Sequence, residues 1–249
     1  MKVTLINHTQ HAKELLIFTK QTRKIADPGA LDKIRQMTEE EKDAELAYVF
    51  KTIGSSWEFV DYTFLIQDVT RAFTHQLVRH RVGTAFAQQA QRLVDMSDFD
   101  YVATGDADCA AYHATMINIK KGYSMMVGAG IPIQDARGVL PTNITTNILF
   151  KANLRTLNSI MNTRMCVRSQ GEMQEVATAM RTAVLEVHPF VEPLMLPFCL
   201  EWGRCKFPRM LEECPVALSS PGLFEVPRHL MEKAKAVWQR LAGRFNPQP

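Results

Sequence analysis

Residues 55–81, SSWEFVDYTFLIQDVTRAFTHQLVRHR, carry the pattern from which the architecture follows. Tyr62-Thr63-Phe64-Leu65-Ile66 is a run of aromatic and β-branched residues, which suits a buried strand. Thr70 follows at a place where a helix cap is wanted, since its hydroxyl can accept from a backbone N–H of a first turn. Phe73 and Leu77 are four residues apart, so the spacing predicts a helix over 70–81. A buried strand feeding a helix points to an α+β chain.

Outward from this stretch the pattern continues in both directions. Lys2 to Asn7 alternates polar and apolar residues, as a short opening strand should. Glu39 to Phe50 follows Thr38 and has its acidic residues early, which predicts a helix that opposes its own dipole with carboxylates. A second long helix is expected over 107–127, stopped by Gly128-Ala129-Gly130 and Pro132. The stretch from Asn153 to about Met180 is expected to be helical, with a break near Gly171 and a continuation to His188-Pro189. Beyond Cys214 stand Pro215, Pro221 and Pro227, then a predicted amphipathic helix from Arg228 to Leu241. There is no internal repeat and no clear linker, so the economical division is one domain, 1–215, with a C-terminal extension, 216–249.

Composition narrows the class. The chain has 249 residues, 46% hydrophobic and 22% charged, close to globular averages and long enough for a sizeable core. No apolar stretch approaches the length of a membrane span. The opening MKVTLINHTQHAKELL lacks the pattern of a secretory signal, which predicts a cytoplasmic protein. A net charge of +3 is too small to argue for long nucleic acid, and no basic stripe with interleaved aromatics suggests such a partner. The five cysteines, Cys109, Cys166, Cys199, Cys205 and Cys214, do not look like a disulfide framework. Cys199, Cys205 and Cys214 lie close in sequence, but their gaps are not those of a zinc knuckle, and small buried hydrophobes are the favoured reading. No metal is expected.

Three arginine clusters hold the chemistry. In the first, Arg79-His80-Arg81 precedes VGTAFAQQAQ and Arg92. On the predicted helix Gln76, Arg79 and His80 share a face, and the stretch containing Gly83 reads as a loop. Loop N–H groups together with guanidinium forks suit a phosphate, whereas a solvated basic helix end is the plainer alternative. The second cluster is Asp135-Ala136-Arg137 before Val139-Leu140-Pro141, which taken alone reads as a surface turn with an ordinary Asp–Arg pair. The third is NLRTLNSIMNTRMCVRSQGE, 153–172. On a helix, Asn153, Leu157, Ile160 and Arg164 fall on one stripe, polar at both ends. That stripe is either a ligand wall or a core face from which Arg164 reaches solvent.

Taken together, RHR with a nearby QxR, then ARxVLP, then NLRxLxxxxxxR and a downstream Gln-Gly-Glu resemble the flavin-dependent thymidylate synthases. The similarity covers roughly 54–175, with a weaker match at the opening strand, and the sixteen residues from Arg137 to Asn153 and the eleven from Asn153 to Arg164 keep the family register. The resemblance implies a helix-rich α+β domain with an antiparallel sheet, assembled as a homotetramer whose sites lie between subunits. It implies that FAD, reduced by NADPH, takes a methylene from methylenetetrahydrofolate to C5 of dUMP, giving dTMP. Arg79, His80, Arg81, Asn153, Arg155 and Ser159 fall where the family contacts flavin. Gln76, Gln88, Gln89, Ala90, Gln91, Arg92, Arg137 and Arg164 fall where it contacts nucleotide.

Elementary chemistry agrees with that assignment. Uracil C5 is a poor nucleophile until negative charge builds on the ring, and a guanidinium aimed at a ring heteroatom stabilises that charge. Arg164 is the first candidate for this catalytic role and Arg92 the second, with Arg137 fitting a phosphate. No activated Cys or Ser nucleophile is required.

The chain departs from the family pattern in places. The segment Val82 to Gln89 makes the signature one residue longer, and Ala90 stands where the family has Ser. Leu93, Phe59 and Arg168 replace a Tyr and two His. A related pyrimidine specialist, acting on UMP or installing a hydroxymethyl group, is therefore the main alternative. A non-catalytic paralogue that binds nucleotide or flavin is a second, and retention of every arginine argues against it.

Overall fold

The computed structural model describes residues 1–23, 27–105 and 108–214. Strand β1 (Lys2–His8) and strand β2 (Asp61–Thr70) pair antiparallel, with Leu5 opposite Phe64. Between them run helices α1 (Ala12–Thr22), α2 (Gly29–Arg35) and α3 (Glu39–Thr52) and a 3-10 segment, Gly54–Phe59. The start of α3 follows from its sequence: Glu41 N donates to Thr38 Oγ1 at 3.2 Å and Thr38 N donates to Glu41 Oε2 at 2.8 Å. This reciprocal capping satisfies two N–H groups that a helix end otherwise leaves without partners. Strand β2 delivers straight into α4 (Arg71–Leu77), where Phe73 N donates to Thr70 Oγ1 at 3.0 Å. Then come β3 (Thr84–Gln88), α5 (Ala110–Gly128), α6 (Ile133–Ala136), β4 (Thr145–Asn153), α7 (Leu154–Arg164), α8 (Gly171–Val187) and α9 (Phe198–Trp202).

The sheet has the order β1-β2-β4-β3, and every neighbouring pair is antiparallel. Period-two alternation puts Tyr62, Phe64 and Ile66 of β2 and Ile148, Phe150 and Ala152 of β4 into the core. The register sets Phe64, Phe150 and Phe86 side by side on three strands, with near-parallel rings at centroid distances of 6.3 and 5.3 Å. Aromatic pairs of this kind add about 0.5–1.5 kcal/mol each beyond the area they bury. Leu16 and Ile17 of α1, Leu157 and Ile160 of α7, and Val176 and Met180 of α8 complete this core. A smaller cluster of Met96, Phe99, Met116, Tyr123, Ala136 and Ile144 holds α5.

The expected helix-rich α+β domain with an antiparallel sheet is what the chain forms, with four corrections. The helix predicted over 70–81 ends at Leu77, where Arg79 N donating to Gln76 O and His80 N donating to Leu77 O tighten the last turn into 3-10 geometry. Gln76 is therefore helical while Arg79 and His80 lie beyond the helix, and the shared face does not form. The stretch read as a loop contains β3, whose Ala-containing TAFAQ has little strand propensity of its own and is held by pairing with β4. Its N–H groups on the paired side go to the ladder rather than to a phosphate cradle. Asn153 is the last residue of β4, so the helical run begins one residue later than expected, while the expected break near Gly171 is present at 165–170 between α7 and α8. The second long helix starts at Ala110, slightly later than predicted. The predicted Arg228–Leu241 helix and the extension from 216 lie outside the described residues.

Candidate functional site

The turn that follows Arg79-His80-Arg81 is clipped onto the start of α7. Thr156 Oγ1 donates to Val82 O at 2.6 Å, Asn153 N donates to Gly83 O at 3.0 Å, and Thr84 Oγ1 donates to His80 O at 2.8 Å. Asn153 also caps α7, its Oδ1 accepting from Thr156 N at 2.9 Å. Gly83 sits at φ +67°, and a Cβ there would lie 2.2 Å from Asn153 Nδ2. Only glycine permits both the backbone angle and the approach.

At the far end of α7, Arg164 Nε donates to His80 Nε2 at 3.1 Å. A ring nitrogen that accepts holds no proton, so His80 is neutral in this arrangement. Burial, and then the positive charge of Arg164, push its pKa down to about 4. Arg164 and Gln76 line one cavity with Cys166, Gln170, Phe198 and Phe207, and Gln76 Nε2 donates to Gln170 Oε1. Cys199, Cys205 and Cys214 reach the same cavity. Burial, with Cys166 and Cys205 nearby, pushes the Cys199 thiol up, so it stays protonated at neutral pH. Among the described residues no three His, Cys, Asp or Glu side chains are grouped as a metal site.

A second group forms around the other end of α4. Arg71 Nη1 donates to Gln89 O at 3.2 Å, and burial, with the positive charge of Arg137 after it, lowers the Arg71 pKa. Gln88 Nε2 donates to Thr74 Oγ1 at 2.9 Å, and Gln89 N donates to Asn147 O at 3.1 Å. Ala90 O accepts from Leu93 N and Val94 N, so Ala90, Gln91 and Arg92 turn the chain away from β3 and leave Arg92 exposed. The Asp135–Arg137 pair does not form among the described residues, because side chains two positions apart on a helical path do not face one another.

The remaining candidates are more dispersed. Arg79, Arg81 and Ser159 are exposed, and Arg155 Nη1 pairs with Glu58 Oε1. The fold thus joins Gln76, His80 and Arg164 at one place and Gln88, Gln89 and Arg137 at another, with Asn153 at the root of α7. Among the described residues, Arg71, Arg79, Arg81, Arg92, Arg137 and Arg164 form no salt bridge, whereas Arg35, Arg155 and Arg181 each do. Arg71 stands out only in three dimensions. Glu172 is also structural news: its carboxylate accepts from Thr70 N at 2.7 Å and from Thr70 Oγ1 at 2.5 Å, tying the start of α8 to the start of α4. The Gln-Gly-Glu run was its signal in the sequence.

Among the described residues these guanidiniums have no carboxylate partners, an arrangement that suits an anionic ligand. The chain belongs to the family described as thymidylate synthase complementing protein, whose model matches residues 4–190. A flavin-dependent thymidylate synthase of Nitratidesulfovibrio vulgaris is 35% identical over 184 residues, covering 68% of this chain and 75% of that protein. Its counterpart in Clostridium tetani is 28% identical over 228 residues, covering 82% of this chain and 90% of that protein. In fold, the chain is similar to the flavin-dependent thymidylate synthase of Helicobacter pylori complexed with FAD and dUMP, with a TM-score of 0.63 at 16% identity over 79% of this chain and 100% of that one. It is also similar to a UMP/dUMP methylase from Streptomyces cacaoi, with a TM-score of 0.64 at 18% identity over 78% of this chain and 93% of that one.

Proposed function

We propose that this protein methylates dUMP at C5, using methylenetetrahydrofolate, NADPH and FAD, to give dTMP in the cytoplasm. The observation that carries the reading is that the side chain of Arg164 is bonded to a neutral imidazole rather than to a carboxylate. A carboxylate would cancel the guanidinium charge. His80 fixes its direction and leaves the charge available for a pyrimidine ring as negative charge develops. Gln76, on the same cavity, offers an amide to the base. Arg137 is assigned to the phosphate, Gln88 to Gln91 to the nucleotide's edge, and Arg92 to a supporting catalytic role.

The residues present fit FAD. Arg79 and Arg81 are exposed and have no carboxylate partner among the described residues, which suits a diphosphate, and Arg155 and Ser159 are exposed on α7. Asn153 has its carbonyl engaged in the cap and has only its amide to offer. Bound FAD supplies the redox chemistry, accepting electrons from NADPH and returning them to complete the methyl group.

Purified protein supplied with NADPH, methylenetetrahydrofolate and either dUMP or UMP is expected to convert dUMP to a product of dTMP mass. A colourless protein without FAD affinity and without product would overturn the reading. Product from UMP alone, or a product heavier by one oxygen, would favour the related specialist.

A homotetramer is part of the proposal. Helix α5 buries Met116 and Tyr123 but leaves Ile117 and Met125 exposed, and Ile131 and Val139 are exposed as well. Covering these side chains with a second copy removes them from water. Assembly would also bring the separate arginine groups of different chains together. Light scattering is expected to report a tetramer, and a stable monomer that turns over fully would defeat this part.

A further inference from the structure

We infer that Glu201 is a positioning residue: through Asn158 and Asn162 it ties the segment 194–202 to α7 and so holds Phe198 as a wall beside the pyrimidine ring. The inference rests on the functional reading above and brings in a carboxylate from outside every arginine cluster. Asn158 and Asn162 are four residues apart on α7, so their amides leave one face of the helix. Asn158 Nδ2 donates to Leu194 O at 2.8 Å and to Glu201 Oε2 at 2.8 Å. Asn162 Nδ2 donates to Leu196 O at 3.0 Å and to Glu201 Oε2 at 2.5 Å. A carboxamide nitrogen has two N–H groups, so each side chain places one on a carbonyl and one on the shared carboxylate oxygen. Bonds to a carboxylate are roughly twice as strong as neutral ones, which makes Glu201 the main tie.

The tie sits at the seam of the cavity. Asn162 and Arg164 line it from α7, and Pro197 and Phe198 line it from the segment that Glu201 secures. Glu201 lies on α9 between Phe198 and Trp202, whose rings stack at 6.1 Å, and Lys206 Nζ lies over the Phe198 ring at 4.1 Å. A five-residue helix is too short to be stable alone, so contacts outside it decide where this aromatic wall stands. The segment has a second attachment from α8, where Arg181 Nε donates to Met195 O at 2.9 Å. That bond does not involve Glu201, so a Glu201 variant keeps the segment on the domain while the wall loses its fixed place in the cavity. A wall held there confines a ring bound at Arg164 and excludes water, and both strengthen the stabilisation of charge on that ring.

The test compares steady-state kinetics with dUMP for the FAD-loaded wild type, Glu201→Ala, Glu201→Gln, Phe198→Leu and the double variant Glu201→Ala/Phe198→Leu. Glu201→Ala is expected to lower kcat by about ten- to a hundredfold, the scale of a misplacement of about 1 Å. KM for dUMP and FAD affinity should change by less than about threefold, because no direct contact is lost. Glu201→Gln should recover most of kcat, since its amide oxygen can accept from both asparagines at the same place. Phe198→Leu should also lower kcat, and the double variant should fall no further than the worse single variant, as for residues that act as one unit. Additive losses, no rescue by glutamine, or an unchanged kcat in Glu201→Ala would each overturn the inference. Wild-type protein that makes no product from dUMP would overturn the functional reading instead. Amide hydrogen exchange in 196–202 then decides the tie by itself: faster exchange in Glu201→Ala with wild-type rates in Glu201→Gln supports it, and equal rates in all three overturn it.

Discussion

Arg164→Ala is expected to lower turnover by at least about a hundredfold, the usual scale for losing a donor that meets transition-state charge. FAD affinity should change far less, because Arg164 faces the cavity shared with Gln76 rather than the exposed Arg79 and Arg81. Arg164→Lys should rescue poorly, since an ammonium cannot both bond His80 through a fixed Nε and direct a planar fork at the base. The imidazole gives an independent signature. Removing Arg164 deletes one of the two causes that hold the His80 pKa near 4, so its NMR titration should move up toward the ordinary histidine range. Ala90→Ser serves as the contrast. It adds one neutral hydroxyl, worth about 0.5–1.5 kcal/mol at best, and should change activity by less than about tenfold. Small, equal effects from Arg164→Ala and Ala90→Ser would make Arg164 structural.

Gly83→Ala should produce the largest loss of stability of any single methyl addition in the site. Its φ of +67° is costly for any residue with a Cβ, by about 1–2 kcal/mol. The new carbon would also meet Asn153 Nδ2 at 2.2 Å, Asn153 Cγ at 2.8 Å and Thr156 Oγ1 at 2.9 Å. Relief requires Asn153 to leave its capping position, which costs roughly another 1 kcal/mol. Together these place the loss at about 2–4 kcal/mol, or roughly 5–15 °C in melting temperature for a domain of this size. Urea denaturation with and without Asn153→Ala separates the two contributions, because truncating Asn153 removes the clash and makes the pair non-additive. An unchanged melting temperature in Gly83→Ala would mean that the turn does not approach α7 as described.

What was legible in the sequence follows the range of the forces involved. Thr38 with Glu41 and Thr70 with Phe73 are decided within one helical turn, and both caps form where the residue types demand. Tyr62, Phe64 and Ile66 announce β2 because β-branched and aromatic residues cluster there and few other places suit them. Strand β3 was not legible, since Thr84 to Gln88 owes its extension to partners in β4, far along the chain. Strand β4 was masked in another way: Asn153 ends the strand and caps the helix, so a pattern read forward from Asn153 shows only the helix. The arginine clusters were visible as clusters. Their lack of carboxylate partners was not, because Arg155 beside Glu58 and Arg71 beside Arg137 acquire opposite electrostatic surroundings only on folding.

The double duty of Asn153 makes α7 a lever with its fulcrum in the sheet. Arg164 lies at the end of this eleven-residue helix, about 16 Å along the axis at 1.5 Å per residue. A tilt of about 5° at the fulcrum would swing the guanidinium through roughly 1.4 Å over that length. Displacements of about 1 Å can cost a factor of a hundred in rate. The bond from Thr156 to the Val82 carbonyl works as a stop at the fulcrum, where a short hydrogen bond constrains the angle of the whole arm. With Arg164 in its proposed role, Thr156 and Gly83 at the start of α7 therefore set the aim of a charge about three turns away.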